Sequence, residues 1–284
     1  MADDNTNSAQ QSAEDLVVQI GTRTATAPTT DNLRMNVILW GAPGNGKTTL
    51  ASTAPGVKLW INFDPDGEAS IRARAQDRND IIVLDLSGDS HATAQRFKDA
   101  DPFSLSAVFK RHPEITTVVF DSMTAFAMLA RDNAVAMNKN STVELPGMNG
   151  YSHANALVQR AFVAMLKLTK AHNKHFICTM HEKEVLSDSG AVEKITFSVS
   201  TSLIGQLGLQ AGEIWYVRSD EKGNRIIAVA PCRKRTPMKT RMFRTNGVPE
   251  FAWKYDPYTY EGQGIDTWFE QWKAAGGRAI PLPA

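Results

Sequence analysis

The chain has 284 residues, 42% of them hydrophobic and 21% charged, enough to bury the core of one large domain. Its 31 Lys and Arg against 30 Asp and Glu leave a net charge of +1, which excludes a surface coated in positive charge for bulk nucleic-acid binding but leaves room for a local basic patch. No apolar run approaches the ~18 residues that span a bilayer, the polar N-terminus lacks a signal-peptide apolar core, and Cys178 and Cys232 form no CxxC pair. A reducing, cytoplasmic setting away from membranes is expected.

Residues 1–32 read as a polar, mostly disordered tail. Its one apolar island, LVVQI at 16–20, is either a strand to be added to a neighbour or a sticky patch. Residues 35–40 (MNVILW) form the first buried strand, which runs into GAPGNGKTT at 41–49. A helix opens at Lys47 and must end by Pro55-Gly56. Residues 57–63 and 81–86 are further buried strands, 91–112 are helical pieces interrupted at Pro102, and 116–120 (TTVVF) is a fourth strand ending on Asp121. Ala154, Leu157, Val158, Ala161, Phe162, Met165 and Leu166 recur at helical spacing, predicting an amphipathic helix over 151–172. Residues 175–180 are the fifth strand. Two long loops, 131–150 and 183–203, flank that helix and strand. Residues 213–218, 225–230 and 240–244 are short strands, the first two joined by a Gly-Asn turn at 223–224, and predict an antiparallel extension of the same sheet. The alternation predicts an α/β fold, a mostly parallel sheet flanked by helices. It divides the chain into a core at 33–250 and an aromatic C-terminal segment at 251–284 with a helix at 265–275, where Trp268 and Trp272 pack on the core.

Gly41, Ala42, Pro43, Gly44, Asn45, Gly46, Lys47 and Thr48 fit G-x-x-x-x-G-K-[ST], and Thr49 follows on the helix. Glycines let successive backbone N–H groups converge on phosphate oxygens. Lys47 reaches the β- and γ-phosphates, and the Thr48 hydroxyl holds Mg²⁺. Asp121, at the end of a buried strand, can hold the same Mg²⁺ through water or cap the next helix. The acidic turn Asp64, Asp66, Glu68 either orients an attacking water or is a solvated turn. His181 closes the fifth strand on the same edge, where a polar group senses the γ-phosphate. His172, His175, Cys178 and His181 do not make one tetrahedral metal site, because along the strand Cys178 points away from His175 and His181. The basic run at 232–244 can meet a neighbour's nucleotide, a nucleic-acid backbone, or solvent along a guarded strand edge.

These parts in this order resemble the RecA-like branch of phosphate-loop ATPases, and within it the phage-encoded proteins that include single-strand annealing ATPases of the Sak type. The likeness covers roughly 33–245 and rests on GAPGNGKTT, DPDGE, VVFDSMTAF, TMHEK and the late KTR. It implies a RecA-like core that binds ATP and Mg²⁺. It makes Asp66 the water-activating residue, by its match to the family's Asp-x-Glu-Gly, with Glu68 as substitute. Asp64 then joins Thr48 and Asp121 around the metal. His181 matches a polar strand-end residue that couples the γ-phosphate to a DNA-binding loop, so 183–203 and 131–150 become candidate loops for single-stranded DNA. Both hold few basic residues and little aromatic surface. Lys239 and Arg241 match basic residues that meet the nucleotide of a neighbouring subunit in a filament or ring.

The function implied is an ATPase of DNA recombination, annealing or repair, working in the host cytoplasm if phage-encoded. A helicase-type or helicase-accessory replication motor uses the same core. An ATP-gated assembly switch that touches only proteins fits the near-neutral charge. A small-molecule kinase is disfavoured, because no stretch resembles a lid or acceptor-binding motif.

Overall fold

A computed structural model of the chain describes residues 17–20, 23–26, 30–65, 67–137, 147–232 and 234–283. Two compact units are present, Met1–Leu33 and Arg34–Ala284. In the first, β1 (Val17–Ile20) pairs antiparallel with β2 (Arg23–Thr26), Val17 opposite Thr26. The apolar island therefore finds a strand partner in its own chain. Thr30–Asn32 form a 3-10 turn, and the rest of the tail expected to be disordered, 1–16, 21–22 and 27–29, lies outside the described residues.

The second unit begins with β3 (Asn36–Gly41), α1 (Lys47–Ser52) and β4 (Val57–Asn62). After α2 (Arg72–Arg78) come β5 (Ile81–Asp85), the short helices α3 (Thr93–Arg96) and α4 (Leu105–Arg111), and β6 (Ile115–Asp121). Strands β3, β4 and β6 are near-continuous apolar runs because both faces are covered, and each is buried from its second or third residue to its end. Lys58 sits inside β4, and its ammonium is answered by Asp80 at 2.7 Å.

Helix α5 (Met123–Met137) follows β6 directly. It overturns the first part of the expected loop at 131–150, through Met137: Met123, Phe126, Ala130 and Ala134 make its buried stripe. The other part of that loop, 138–146, lies outside the described residues. Helix α6 (Met148–Ala171) starts a little before the predicted helix and buries Ala154, Leu157, Val158, Ala161, Phe162 and Met165 as expected, with Leu168 in place of Leu166.

The expected loop at 183–203 is also corrected. Strand β7 (His175–Leu186) continues past His181 and turns back as β8 (Val192–Phe197), antiparallel, with Glu182 opposite Phe197. Helix α7 (Thr201–Gln210) then begins. In VEKITF Glu193 is exposed while Thr196 and Phe197 are buried, as suits a hairpin that is in solvent at its tip and enters the core at its base.

Next come β9 (Glu213–Ser219), β10 (Arg225–Ala228), β11 (Phe243–Arg244) and β12 (Glu250–Trp253). Helix α8 (Ile265–Ala274) and β13 (Ile280–Pro281) complete the chain. The main sheet runs β12-β10-β9-β3-β7-β6-β4-β5, parallel from β9 to β5 and antiparallel from β9 to β12. The fold class is the α/β one the sequence predicts, a mostly parallel sheet flanked by helices with an antiparallel extension. One member differs: β12 is the outer strand of that extension, while β11 pairs in parallel with β13. Trp268 and Trp272 are buried as expected, and Trp268 meets Trp215, Phe243 and Phe251 at 5.4–6.0 Å. Truncating such a ring to Ala costs about 3–5 kcal/mol. Among the described residues no helix is long and apolar enough to cross a membrane.

The C-terminal ends of β3, β4, β6 and β7 share one edge of the sheet, where ligands collect in open α/β folds.

Candidate active site

At that edge β3 ends on Gly41 with φ 152°, a conformation open almost only to glycine. A Cβ there would run into the Val217 carbonyl of β9, so glycine is what lets the loop leave the sheet alongside its neighbour. The same carbonyl accepts from Asn45 Nδ2 at 3.4 Å, bracing the loop from β9. Lys47 folds back over the loop and donates to the carbonyls of Gly41 (3.0 Å) and Ala42 (2.8 Å). Burial pulls its pKa down to about 8, against the opposing charges of Asp121, Glu182 and Asp64.

The Thr48 hydroxyl donates to Oδ2 of Asp121 at 3.2 Å, and the Thr179 hydroxyl of β7 donates to Oδ1. Asp121 is only 4% exposed. Burial pushes its carboxyl above the usual range, while those two hydroxyls and Lys47 pull the other way. The peptide bond that follows it, to Ser122, is cis. Thr48 and Asp121 thus present hard oxygen donors side by side, and among the described residues the buried carboxyl is bonded only to hydroxyls. That donor set fits Mg²⁺, which takes one or two protein oxygens and completes its shell with phosphate and water.

The acidic turn is pinned by Asn62, whose side chain accepts from Asp64 N (3.3 Å) and donates to Asp64 O (2.9 Å). Asp64 lies 3.9 Å from His181 Nε2. The His181 backbone N–H donates to Thr124 Oγ1 at 2.9 Å, and its carbonyl accepts from Ser198 N at 2.7 Å. Its Nδ1 is buried without a hydrogen-bond partner among the described residues. Burial and the nearby Lys47 charge lower its pKa, with Asp64 opposing. The side chains of His172, His175 and Cys178 go elsewhere, to Ser106, to Met35 N and to the Thr179 carbonyl.

A cleft of about 220 Å³ gathers most of the sequence-predicted residues: Pro43, Gly44, Gly46, Lys47, Thr48, Thr49, Asp64, Asp121 and His181 line it. Gly41, Ala42 and Asn45 form the loop behind. Glu68 does not line it and instead pairs with Arg72 at 3.6 Å. Asp66 lies outside the described residues. Lys239 and Arg241 are not in this cleft. Lys239 pairs with Ile214 at the start of β9, toward the opposite edge of the sheet, and its ammonium donates to the Gly208 carbonyl at 3.1 Å. Glu213 holds Arg241 N at 2.8 Å. Three contributors were missed in the sequence, the first being Gly67 at the acidic turn itself. Ser70 lines the cleft beyond the acidic turn, and Arg225 enters it from β10. Only the Gly-Asn turn just before Arg225 marked it, as the first residue of a strand.

A glycine-rich loop held by its own lysine, with a strand-end carboxylate against its threonine, is the arrangement of a phosphate-loop ATPase domain. Residues 33–241 match the family model described as AAA domain, and the chain belongs to that family. Among solved structures, a KaiC-like protein from the hyperthermophilic archaeon Pyrococcus horikoshii is similar at 15% identity, covering 81% of this chain and 88% of that one with a TM-score of 0.42. No curated protein matches the chain.

Proposed function

We propose that the chain hydrolyses ATP with Mg²⁺ and couples the nucleotide to single-stranded DNA, in recombination, annealing or repair, as a homo-oligomer. The loop amides from Gly44 to Thr49 surround the phosphates, and Lys47 turns from the Gly41 and Ala42 carbonyls to the β- and γ-oxygens. Thr48 and Asp121, with Asp64 nearby, would hold Mg²⁺, which when bound neutralises charge on the phosphate oxygens. The acidic turn supplies the carboxylate that orients water, Asp66 by position, with Glu68 second. Lys239 and Arg241 are assigned to a neighbour's nucleotide, in keeping with their distance from their own cleft.

The observation that carries the DNA reading is the place of His181 between two cavities. It lines the nucleotide cleft, and its backbone bonds Thr124 and Ser198, which line a second groove of about 290 Å³. That groove contains Arg131, Lys183 and Tyr151, with the Arg131 guanidinium 5.6 Å from the Tyr151 ring. Cations beside an aromatic face suit a phosphate backbone with stacked bases. The test is ATP turnover with and without single-stranded DNA, alongside annealing of complementary strands, with Lys47→Ala as control. DNA-stimulated turnover with annealing supports the proposal. Directional unwinding would replace it with a helicase motor, and indifference to every nucleic acid with a protein-directed switch.

A further inference from the structure

Strand β10 begins at Arg225, opposite Ser219 of β9 and Trp253 of β12. The turn before it is fixed by Asp220, whose carboxylate accepts from Lys222 N and Asn224 N at 2.9 and 2.7 Å. The arginine is therefore launched from a set position at the sheet edge that bears the phosphate loop. Its guanidinium carbon lies 5.3 Å from the Trp253 ring centroid, and Trp253 is stacked in turn on Tyr255, with ring planes 10° apart. The side chain also lies against the loop: a Cβ on Gly46 would be 2.9 Å from Arg225 Nε and 3.1 Å from Cζ. Gly46 has φ 89°, so both its conformation and this approach call for glycine.

Packing on Trp253 accounts for the flat face of the guanidinium but not for its N–H groups. Among the described residues Nη1 is buried and has no hydrogen-bond partner, and Arg225 lines the nucleotide cleft. A buried, unpaired guanidinium donor is costly unless an acceptor meets it.

Sheet order tells which part of a nucleotide it would meet. Asp121, His181 and Asp64 come from β6, β7 and the end of β4, all on one side of β3. Arg225 comes from β10, on the other side. The metal and γ-phosphate end belongs with Asp121, which leaves the opposite end for Arg225. We infer that Arg225 donates in cis to the α-phosphate of the bound nucleotide, a second fixed cation beside Lys47 at the end of the ligand away from the metal. This rests on the nucleotide site assigned above. Such a charge-assisted, preoriented contact serves ATP and ADP alike, because both carry the α-phosphate.

The test is equilibrium binding of Mg-ATP and Mg-ADP to the full chain and to its Arg225→Met, Arg225→Lys and Lys47→Ala variants. Methionine keeps apolar cover over Trp253 without the charge. Arg225→Met should weaken ATP and ADP by a similar factor, about ten- to a hundredfold. Arg225→Lys should weaken them less, and the nucleotide-free melting temperature of both variants should stay near that of the parent. Unchanged affinities in Arg225→Met, or a loss confined to ATP, would overturn the inference. If the parent chain binds neither nucleotide, the nucleotide site itself is refuted. If the parent binds, Lys47→Ala does not, and Arg225→Met matches the parent, only the role of Arg225 falls.

Discussion

The Thr179 hydroxyl, on β7, donates to one oxygen of Asp121, on β6, in a position where that carboxyl is 4% exposed. With the Thr48 hydroxyl on the other oxygen, Asp121 is aimed by two neighbours on separate elements. Thr179→Val keeps the shape and removes the donor, leaving a buried carboxyl oxygen unpaired. We predict a loss of about 1–3 kcal/mol in urea unfolding, with Thr179→Ser close to the parent. Equal stability of the Val and Ser variants would mean that the bond contributes nothing.

Glu213, the first residue of β9, accepts from Trp215 Nε1 (3.0 Å), Thr240 Oγ1 (2.6 Å), Arg241 N (2.8 Å) and Met242 N (3.1 Å). One buried carboxylate thus shapes the whole 240–242 segment. Glu213→Gln keeps the volume but trades an acceptor oxygen for a donor amide, and should cost about 1–3 kcal/mol in chemical denaturation. Glu213→Ala orphans all four donors and should cost more than Gln. The reverse order would show that packing, not hydrogen bonding, sets the role of the residue.

If Arg241 completes a neighbour's site, specific ATPase activity should rise with protein concentration in the parent chain. Arg241→Ala should flatten that rise and lower turnover at high concentration by about tenfold or more, the scale for a charge placed on a transferring phosphoryl group. Arg241 is exposed, so the variant should fold as the parent does. Turnover independent of concentration in the parent would remove the trans role.

His175 is buried, accepts from Met35 N at 3.2 Å, and sits edge-on to Phe269 at 4.4 Å. Burial, then the Arg34, Lys273 and Lys174 charges, lowers its pKa from 6.5 to about 4. Above pH 6.5 the ring is neutral in both folded and unfolded chains and contributes no slope. Between 6.5 and 4 the unfolded chain binds a proton that the folded one refuses, so stability falls with falling pH, by about 3 kcal/mol at most. His175→Asn should be less stable at neutral pH through lost packing, yet show a shallower acid slope in unfolding titrations. Parallel slopes would place the acid sensitivity elsewhere. Buried Glu213 has its pKa raised and contributes the opposite slope, which cancels in the difference between the two chains.

Much of this site is legible in the sequence because parallel strands buried on both faces read as unbroken apolar runs, and the polar residues that end them stand out. Gly41, Asp121 and His181 each end or interrupt such a run. Helix α5 was hidden because its stripe at Met123 and Phe126 resumes the apolar run of β6 after only Asp121 and Ser122, so the change of period is easily read as one more strand-to-loop step. The β7–β8 hairpin was hidden because β7 becomes half-exposed after His181, where charges at Glu182, Lys183 and Glu184 look like loop. Arg225 is unreadable for a different reason. Its approach to Gly46 depends on β9 pairing with β3 beside the phosphate loop, a long-range parallel pairing that no local pattern encodes.

Thr53 closes helix α1, and it is held from far along the chain: its hydroxyl oxygen accepts from Ile265 N at 2.9 Å and its carbonyl from Asp266 N at 3.0 Å. The helix that starts at Lys47 thus ends in the grip of the segment that opens α8. Any ligand that steadies α1 must also steady those two amides, since coupling between sites acts in both directions. Deuterium uptake at Ile265 and Asp266 then becomes a remote gauge of what sits on the phosphate loop, readable without a probe in the cleft. The same linkage makes the C-terminal end a poor place to trim or fuse, because a cut before Gly264 would release the far end of the helix that carries Lys47 and Thr48.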